Sequence, residues 1–319
     1  MEFFQEQVRI LEEKGVESDV LYSGTRSTDY HTEKDGIGAK IMNTLYGHNA
    51  AYYGIRAGVF YPKILKQSIF EEYDIVHVNS GMVAPLAMMQ PQRPLVTTLW
   101  GDDLLSDRLN GYQSEITKQC AKRSDATIVR SKEMREELPC DAQIIPSGVD
   151  MEKFTPIEQE EALHQVGWSS EKKHILFPYS PSQSKKRYPA AKKIVEKVNY
   201  EIEEKVDMKT ISGVPHEEMN LYYSAADVLL LPSLREGSPN TVKEAMACNL
   251  PVVSTNVGDV QERVGPVRNS FACKGDEEMK ERVQQVVVSG ERSNGRKFVE
   301  EVSLDTMGDR ILSIYEALS

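Results

Sequence analysis

Short, unbroken apolar runs recur along this chain, and they limit its fold more than any other feature. Asp74-Ile-Val-His-Val78, Leu95-Val-Thr-Thr-Leu99, Ala126-Thr-Ile-Val129 and Gln143-Ile-Ile145 occupy the first half. His174-Ile-Leu-Phe177, Met208-Lys-Thr-Ile211, Val228-Leu-Leu-Leu231 and Pro251-Val-Val-Ser254 occupy the second. Runs this short, without strict alternation, suit strands covered on both faces, as in parallel sheets flanked by helices. The pattern predicts an α/β protein. With 319 residues the chain exceeds one simple core, so two such domains are expected. The turn-rich Pro146-Ser-Gly-Val-Asp150 and Pro156 place the boundary near 146–157. The expected division is 1–150, 151–300 and a helical tail over 301–319, with Val299, Val302, Met307, Ile311 and Ile314 as buried anchors packing back across the lobes. At the N-terminus, Phe4, Val8 and Leu11 share a helical face, Gly15 ends the helix, and Ser18-Asp-Val-Leu-Tyr22 reads as a strand.

Composition excludes several functions. A net charge of −11 argues against broad binding to nucleic acid. No run approaches the roughly 18 apolar residues of a membrane span, and no export leader is evident. Cys120, Cys140, Cys248 and Cys273 lack CxxC spacing, as reduced thiols of a cytoplasmic protein would. No metal site is expected.

In open α/β sheets, ligands bind beyond the carboxyl ends of strands, where loops enter helix N-termini. The strand Val228 to Leu231 leads into Glu236-Gly-Ser-Pro-Asn-Thr-Val-Lys-Glu244. Ser238 and Pro239 read as N-cap and first helical residue, and Asn249 with Pro251 as the stop. The unpaired N–H groups and partial positive charge of a helix start suit a diphosphate. A carboxylate can accept from two neighbouring hydroxyls, so Glu244 could hold a ribose diol and Glu236 the hydroxyls of a sugar. The alternative is that both glutamates are solvated surface groups, Glu244 pairing with Lys243 or Arg235.

These residues resemble the EX7E signature of glycosyltransferase family 4, the retaining enzymes of GT-B fold. The flanks share the resemblance: Ala225-Ala-Asp-Val-Leu-Leu-Leu-Pro-Ser233, Leu250-Pro-Val-Val253 with Val257-Gly258, Ile145-Pro-Ser-Gly-Val-Asp150 and Tyr73-Asp-Ile-Val-His77. It implies two Rossmann-like doubly wound domains facing a cleft. The donor would sit in the C-terminal domain and the acceptor in the N-terminal one. By position Glu236 would contact the donor sugar and Glu244 the ribose, with Gly237, Ser238, Asn240 and Thr241 near the diphosphate. The family places two basic residues after the first strand of that domain; here Lys186 matches the second, Ser180 or Pro181 stands at the first, and Lys185 or Arg187 would compensate for the missing cation. In the N-terminal domain Trp100-Gly-Asp102-Asp103 stands where many relatives carry His-Gly-x-Asp. Asp103, or Asp102, is the candidate base, and Trp100 either stacks on a sugar or packs in the core.

The resemblance also implies an apolar strand and glycine-rich loop before the first helix, and this chain opens on the helix. The N-terminal domain is therefore expected to lack its first strand, a deficit of roughly 15–20 residues. Three activities stay open. The first is a retaining hexosyltransferase without cofactor, taking a nucleotide-sugar donor and a glycan, lipid-linked or other hydroxyl acceptor. It would be cytoplasmic, with room for peripheral association at an inner membrane face. The second is an impaired sugar-nucleotide-binding protein of the same fold, and the third a GT-B sugar-nucleotide epimerase.

Overall fold

The computed structural model describes residues 2–21, 61–81, 83–104 and 112–319, without the side chains of Glu2 and Asp102. By its packing the chain forms two units. The first comprises Met1–Ile10, Arg130–Glu136 and Ile144–Ile311, and the second Leu11–Val129, Glu137–Gln143 and Leu312–Ser319.

The second unit is built on a four-stranded sheet in the order β1-β2-β3-β4, formed by Val76–Val78, Leu95–Thr98, Ala126–Val129 and Gln143–Ile144. β1 and β3 both pair with β2 in parallel. All four residues of β2 are buried, as an apolar run covered on both faces requires. Leu95 and Val96 are fully inaccessible.

The first unit carries five strands in the order β6-β5-β7-β8-β9, all parallel. They are Val206–Thr210, Lys173–Phe177, Val228–Leu231, Val252–Thr255 and Phe271–Cys273. The central β7 is wholly buried, whereas β6 at the edge alternates polar and apolar residues and is half-exposed. The chain places β6 on one side of β5 and then returns to place β7 on the other. That reversal opens a crevice beyond the carboxyl ends of β5 and β7.

Both faces of this sheet are covered. One core gathers Leu229, Leu231, Val242, Met246, Val252 and Val260. The other gathers Ile175, Phe177, Ile194, Val198, Val283 and Val286. Val299, Val302, Met307, Ile311 and Ile314 are all buried, as their periodicity predicts. The last helix, Leu304–Leu318, has residues through Ile311 in the first unit and from Leu312 in the second.

Three local expectations change. Ser18 to Leu21 form no strand; Ser18 donates to Glu12, and Asp19 accepts from Tyr73 Oη at 2.6 Å and Gln67 Nε2 at 3.2 Å. Tyr22 and the expected missing strand lie outside the described residues. The helix Glu2–Glu13 ends at Gly15, where φ is +89°, but its buried stripe runs through Gln7, Ile10 and Leu11 rather than Phe4 and Val8. Gln7 is drawn inward because its Oε1 accepts from the buried Arg130 guanidinium at 3.0 Å. Finally, the sequence reading passes over β9, Phe271–Cys273, which no flanking run of branched apolar residues marks.

Candidate functional site

The crevice of the first unit is lined by loops leaving β5, β7 and β8. Beyond β5, Phe177 is followed by Tyr179 and a single turn of 3-10 helix, Ser184–Lys186. Beyond β7, Pro232 to Ser238 descend into the helix Asn240–Ala247. The Leu234 N–H donates to the Lys185 carbonyl at 2.9 Å, so the two loops are joined by backbone.

That junction brings Lys186 and Glu236 together. Lys186 Nζ lies 2.5 Å from Glu236 Oε1, and each side chain is 15% exposed. The ammonium also sits 3.8 Å from the centre of the Tyr179 ring. Burial alone would lower the Lys186 pKa, but Tyr179 and Glu236 outweigh it and the net shift is upward. A cation is thus held at the mouth of the helix. Tyr179 Oη is in turn fixed 2.7 Å from Thr241 Oγ1 in the helix's first turn.

The helix start differs by one residue from the reading of the sequence. Pro239 is the N-cap and Asn240 the first helical residue. Ser238 does not cap, because its hydroxyl donates to Asp259 Oδ2 at 2.8 Å and accepts from Lys243 Nζ at 3.0 Å. The stop is as expected: Asn249 takes a left-handed conformation with φ +52°, and Leu250 N–H bonds the Ala245 carbonyl at 2.8 Å. Asn240 Oδ1 and Asp259 Oδ1, both shielded from solvent, have no hydrogen-bond partner among the described residues. Polar capacity for a ligand therefore gathers beside the unpaired N–H groups of the helix start.

Gly258 sets how closely the β8 loop meets this region. Its φ is +57°, and a Cβ there would lie 2.2 Å from the Gly237 carbonyl oxygen and 2.8 Å from that of Glu236. Only a residue without a side chain permits that approach.

Glu244 is not a surface residue. It is 3% exposed, its Oε2 accepts from Tyr223 Oη at 2.7 Å, and its Oε1 lies 2.8 Å from His216 Nε2. Lys243 is buried as well, at 1% exposure, donating to the Ser147 carbonyl at 2.7 Å. Burial lowers its pKa to about 7, against a smaller opposing effect of Asp259.

The remaining candidates are placed elsewhere. Arg187 turns to the start of the helix Asp276–Ser289, meeting both Asp276 oxygens at 2.9 and 2.8 Å. An acidic residue in a first helical turn is a natural partner for it. Lys185 is exposed and contributes its carbonyl to the loop junction.

In the second unit Asp103 is 6% exposed, and its carboxylate accepts from the Trp100 N–H at 2.9 Å and the Ser80 hydroxyl at 3.5 Å. That is the geometry of a helix-start clasp. Trp100 is half-buried and donates from Nε1 to the Asn79 carbonyl at 3.0 Å. His77 is held between Thr98, 2.8 Å from Nε2, and Tyr315.

Tyr179, His216, Tyr223, Lys243 and Asp259 are absent from the sequence reading of the site. Tyr179 could have been found, since it lies two residues beyond the end of β5. Lys243 lies within the signature but reads there only as a surface partner of Glu244, and His216, Tyr223 and Asp259 meet the signature only through tertiary packing.

Among the described residues no helix is long and apolar enough to cross a membrane. No cluster of three or more His, Cys, Asp or Glu positioned for a metal occurs among them either.

Known proteins resemble this chain in sequence and fold. A family model described as Glycosyltransferase Family 4 matches residues 3–153, and one described as Glycosyl transferases group 1 matches residues 184–288. The chain is 25% identical over 217 residues to a putative teichuronic acid biosynthesis glycosyltransferase, TuaC, of Bacillus subtilis, covering 60% of this chain and 55% of that protein. It is 24% identical over 276 residues to an Escherichia coli UDP-Gal:alpha-D-GlcNAc-diphosphoundecaprenol alpha-1,3-galactosyltransferase, covering 72% and 68% respectively. The chain thus spans just over half the length of the first relative and two thirds of the second.

Among solved structures, sucrose-phosphate synthase from Thermosynechococcus elongatus superimposes with a TM-score of 0.65 at 18% identity, covering 82% of this chain and 78% of that one. Anabaena HepE in complex with UDP-glucose superimposes with a TM-score of 0.59 at 16% identity, covering 81% and 82%. With two parallel α/β units and the signature glutamates at the reversal of the second sheet, the chain belongs to the group 1 glycosyltransferases of GT-B fold.

Proposed function

We propose that this protein is a retaining hexosyltransferase that moves a sugar from a nucleoside-diphosphate donor to a hydroxyl of a glycan or lipid-linked acceptor. The observation that carries the reading is the Lys186 and Glu236 pair poised at the start of the helix Asn240–Ala247. The donor diphosphate lies at the helix N-terminus, where backbone N–H groups and the helix dipole favour negative charge. Lys186 exchanges Glu236 for a phosphate oxygen when donor arrives. Glu236, released, accepts from hydroxyls of the transferred sugar, and Glu244 accepts from the ribose.

The chemistry then needs one bond made and one broken on the same face of the sugar. The acceptor oxygen joins the anomeric carbon while the bond from that carbon to the diphosphate oxygen breaks. The acceptor proton passes to the departing phosphate, and configuration is retained. Charge builds on the diphosphate, so a preorganised cation and helix terminus stabilise the transition state more than the ground state. No metal or cofactor is invoked in this scheme, and Asp103 is not needed as its base. A peripheral, cytoplasmic setting fits a lipid-linked acceptor. The relative with a diphosphoundecaprenol acceptor and the solved neighbour holding UDP-glucose support the choice of substrates.

The test is to incubate the protein with UDP-, GDP- and ADP-hexoses and a panel of glycan and lipid-linked acceptors, following nucleoside diphosphate release and the anomeric proton of the product. Acceptor-dependent release with retained configuration is expected. Glu236→Gln should lower kcat by about a hundredfold or more with the thermal midpoint preserved. Release that ignores the acceptor, or turnover that ignores Glu236, would refute the reading.

A further inference from the structure

Glu244 is steered by groups that no helix pattern brings near it. His216 comes from the single 3-10 turn His216–Glu218 after β6, and Tyr223 from the helix Met219–Ala225 that follows. Behind His216 stands Lys153, whose Nζ lies 2.7 Å from His216 Nδ1. Lys153 is itself set by the turn after Val149, where Asp150 Oδ1 accepts the N–H groups of Glu152 and Lys153 at 3.1 and 2.9 Å.

The direction of these bonds is fixed by chemistry. An ammonium only donates, so His216 Nδ1 must accept. The imidazole proton therefore resides on Nε2, which donates to Glu244 Oε1 at 2.8 Å. Glu6 lies 3.8 Å from Lys153 Nζ and 3.9 Å from His216 Nδ1, balancing the lysine's charge. Phe3 and Phe154 meet the imidazole edge-on, with ring centres 5.6 and 5.2 Å away, and hold its plane.

A carboxylate offers about four acceptor positions, two on each oxygen. Here His216 takes one on Oε1 and Tyr223 one on Oε2. One remains on each oxygen, the arrangement that a pair of adjacent hydroxyls requires. We propose that Lys153 and His216 are positioning residues that orient Glu244 to grip both ribose hydroxyls of the donor, making the 2′-hydroxyl a condition of binding. This rests on the donor-site reading above. Lys153 selects the tautomer, His216 transmits it, and Glu244 reads the sugar.

The experiment uses the full chain and calorimetric titration with UDP, GDP and ADP, each beside its 2′-deoxy form. Wild type should prefer one ribonucleotide over its deoxy form by about tenfold or more, the worth of a charge-assisted hydrogen bond. Lys153→Met and His216→Ala should reduce that preference to about twofold, with far-ultraviolet circular dichroism unchanged. His216→Gln should keep the preference, because an amide N–H near the Nε2 position donates with no tautomer to select. Adding Lys153→Met to His216→Gln should then change nothing further. A purely structural role for Lys153 would not be cancelled by glutamine at 216. If wild type binds a ribonucleotide without preferring it, or if Lys153→Met and His216→Ala keep the full preference, the relay is wrong while the donor site stands. If wild type binds none of the three, the donor-site reading itself falls and the relay with it.

Discussion

Lys243 places an amine where water hardly reaches, between the Ser147 carbonyl and the Ser238 hydroxyl. Its pKa falls from 10.5 to about 7, with burial as the main cause. Below about pH 7 the folded and unfolded chains both carry the proton, and the full cost of burying the charge is present. Between there and about pH 10.5 the unfolded chain binds a proton that the folded chain lacks, so this lysine's contribution to stability improves as pH rises. Lys243→Met removes the effect. The midpoint of the variant minus that of wild type, followed by calorimetry from about pH 6.5 to 9.5, should therefore fall steadily with pH. A difference independent of pH would rule this out. Lys186 invites a different test, since it faces the crevice. Lys186→Met should lower kcat by about a hundredfold, as expected when a preorganised charge opposite the leaving group is lost. The check is single-turnover kinetics at saturating donor, where a loss confined to KM would show that Lys186 only binds.

At the scale of elements, the reversal between β5 and β7 explains why Lys186 and Glu236 meet although fifty positions separate them. Each is carried at the carboxyl end of a strand flanking the crevice. Gly258 tests how tightly the loops are set. Gly258→Ala would place a methyl group against the Gly237 carbonyl in a left-handed conformation, and should cost more than about 2 kcal/mol in urea unfolding. Nucleotide affinity should fall with it, because Glu236 must shift to make room.

Much of this architecture is legible in the sequence. Continuous apolar runs mark the buried strands, and Asn249 with Pro251 marks the helix end. What cannot be read is how the polar side chains find one another. Val242 to Ala247 are all buried, so the helix Asn240–Ala247 has no solvated face from which to judge that Lys243 and Glu244 point inward. Arg187 reads as a diphosphate ligand by its place beside Lys186, and only the fold reveals Asp276 as its partner. Asp103 reads as a candidate base, and its bonds to Trp100 and Ser80 are legible only in the fold. The Ser238 cap fails for the same reason, since Asp259 and Lys243 compete for its hydroxyl from distant parts of the chain.

For the whole molecule, the last helix matters out of proportion to its length. Val149 accepts the Leu304 N–H at 2.9 Å and donates to the Val302 carbonyl at 3.0 Å. Met307 Sδ lies 3.1 Å from the Gly148 nitrogen, and Ile311 is fully buried. Removing 303–319 should abolish cooperative thermal unfolding of the first unit, whereas Ile311→Ala should cost about 2–5 kcal/mol and leave the transition cooperative. Net charge acts at the same scale. At −11 the molecule should pass a heparin column unretained at about 150 mM salt, since polyanion binding depends on released counterions.

The contact of Gly258 with Gly237 carries a consequence for how such a protein can change over generations. Two main chains that touch leave no slack, so an inserted or deleted residue in either segment would displace the carboxylate of Glu236. Length variation is thereby barred from the two loops at the centre of the crevice. New sugar preferences must be reached by exchanging side chains around a frame whose dimensions stay constant.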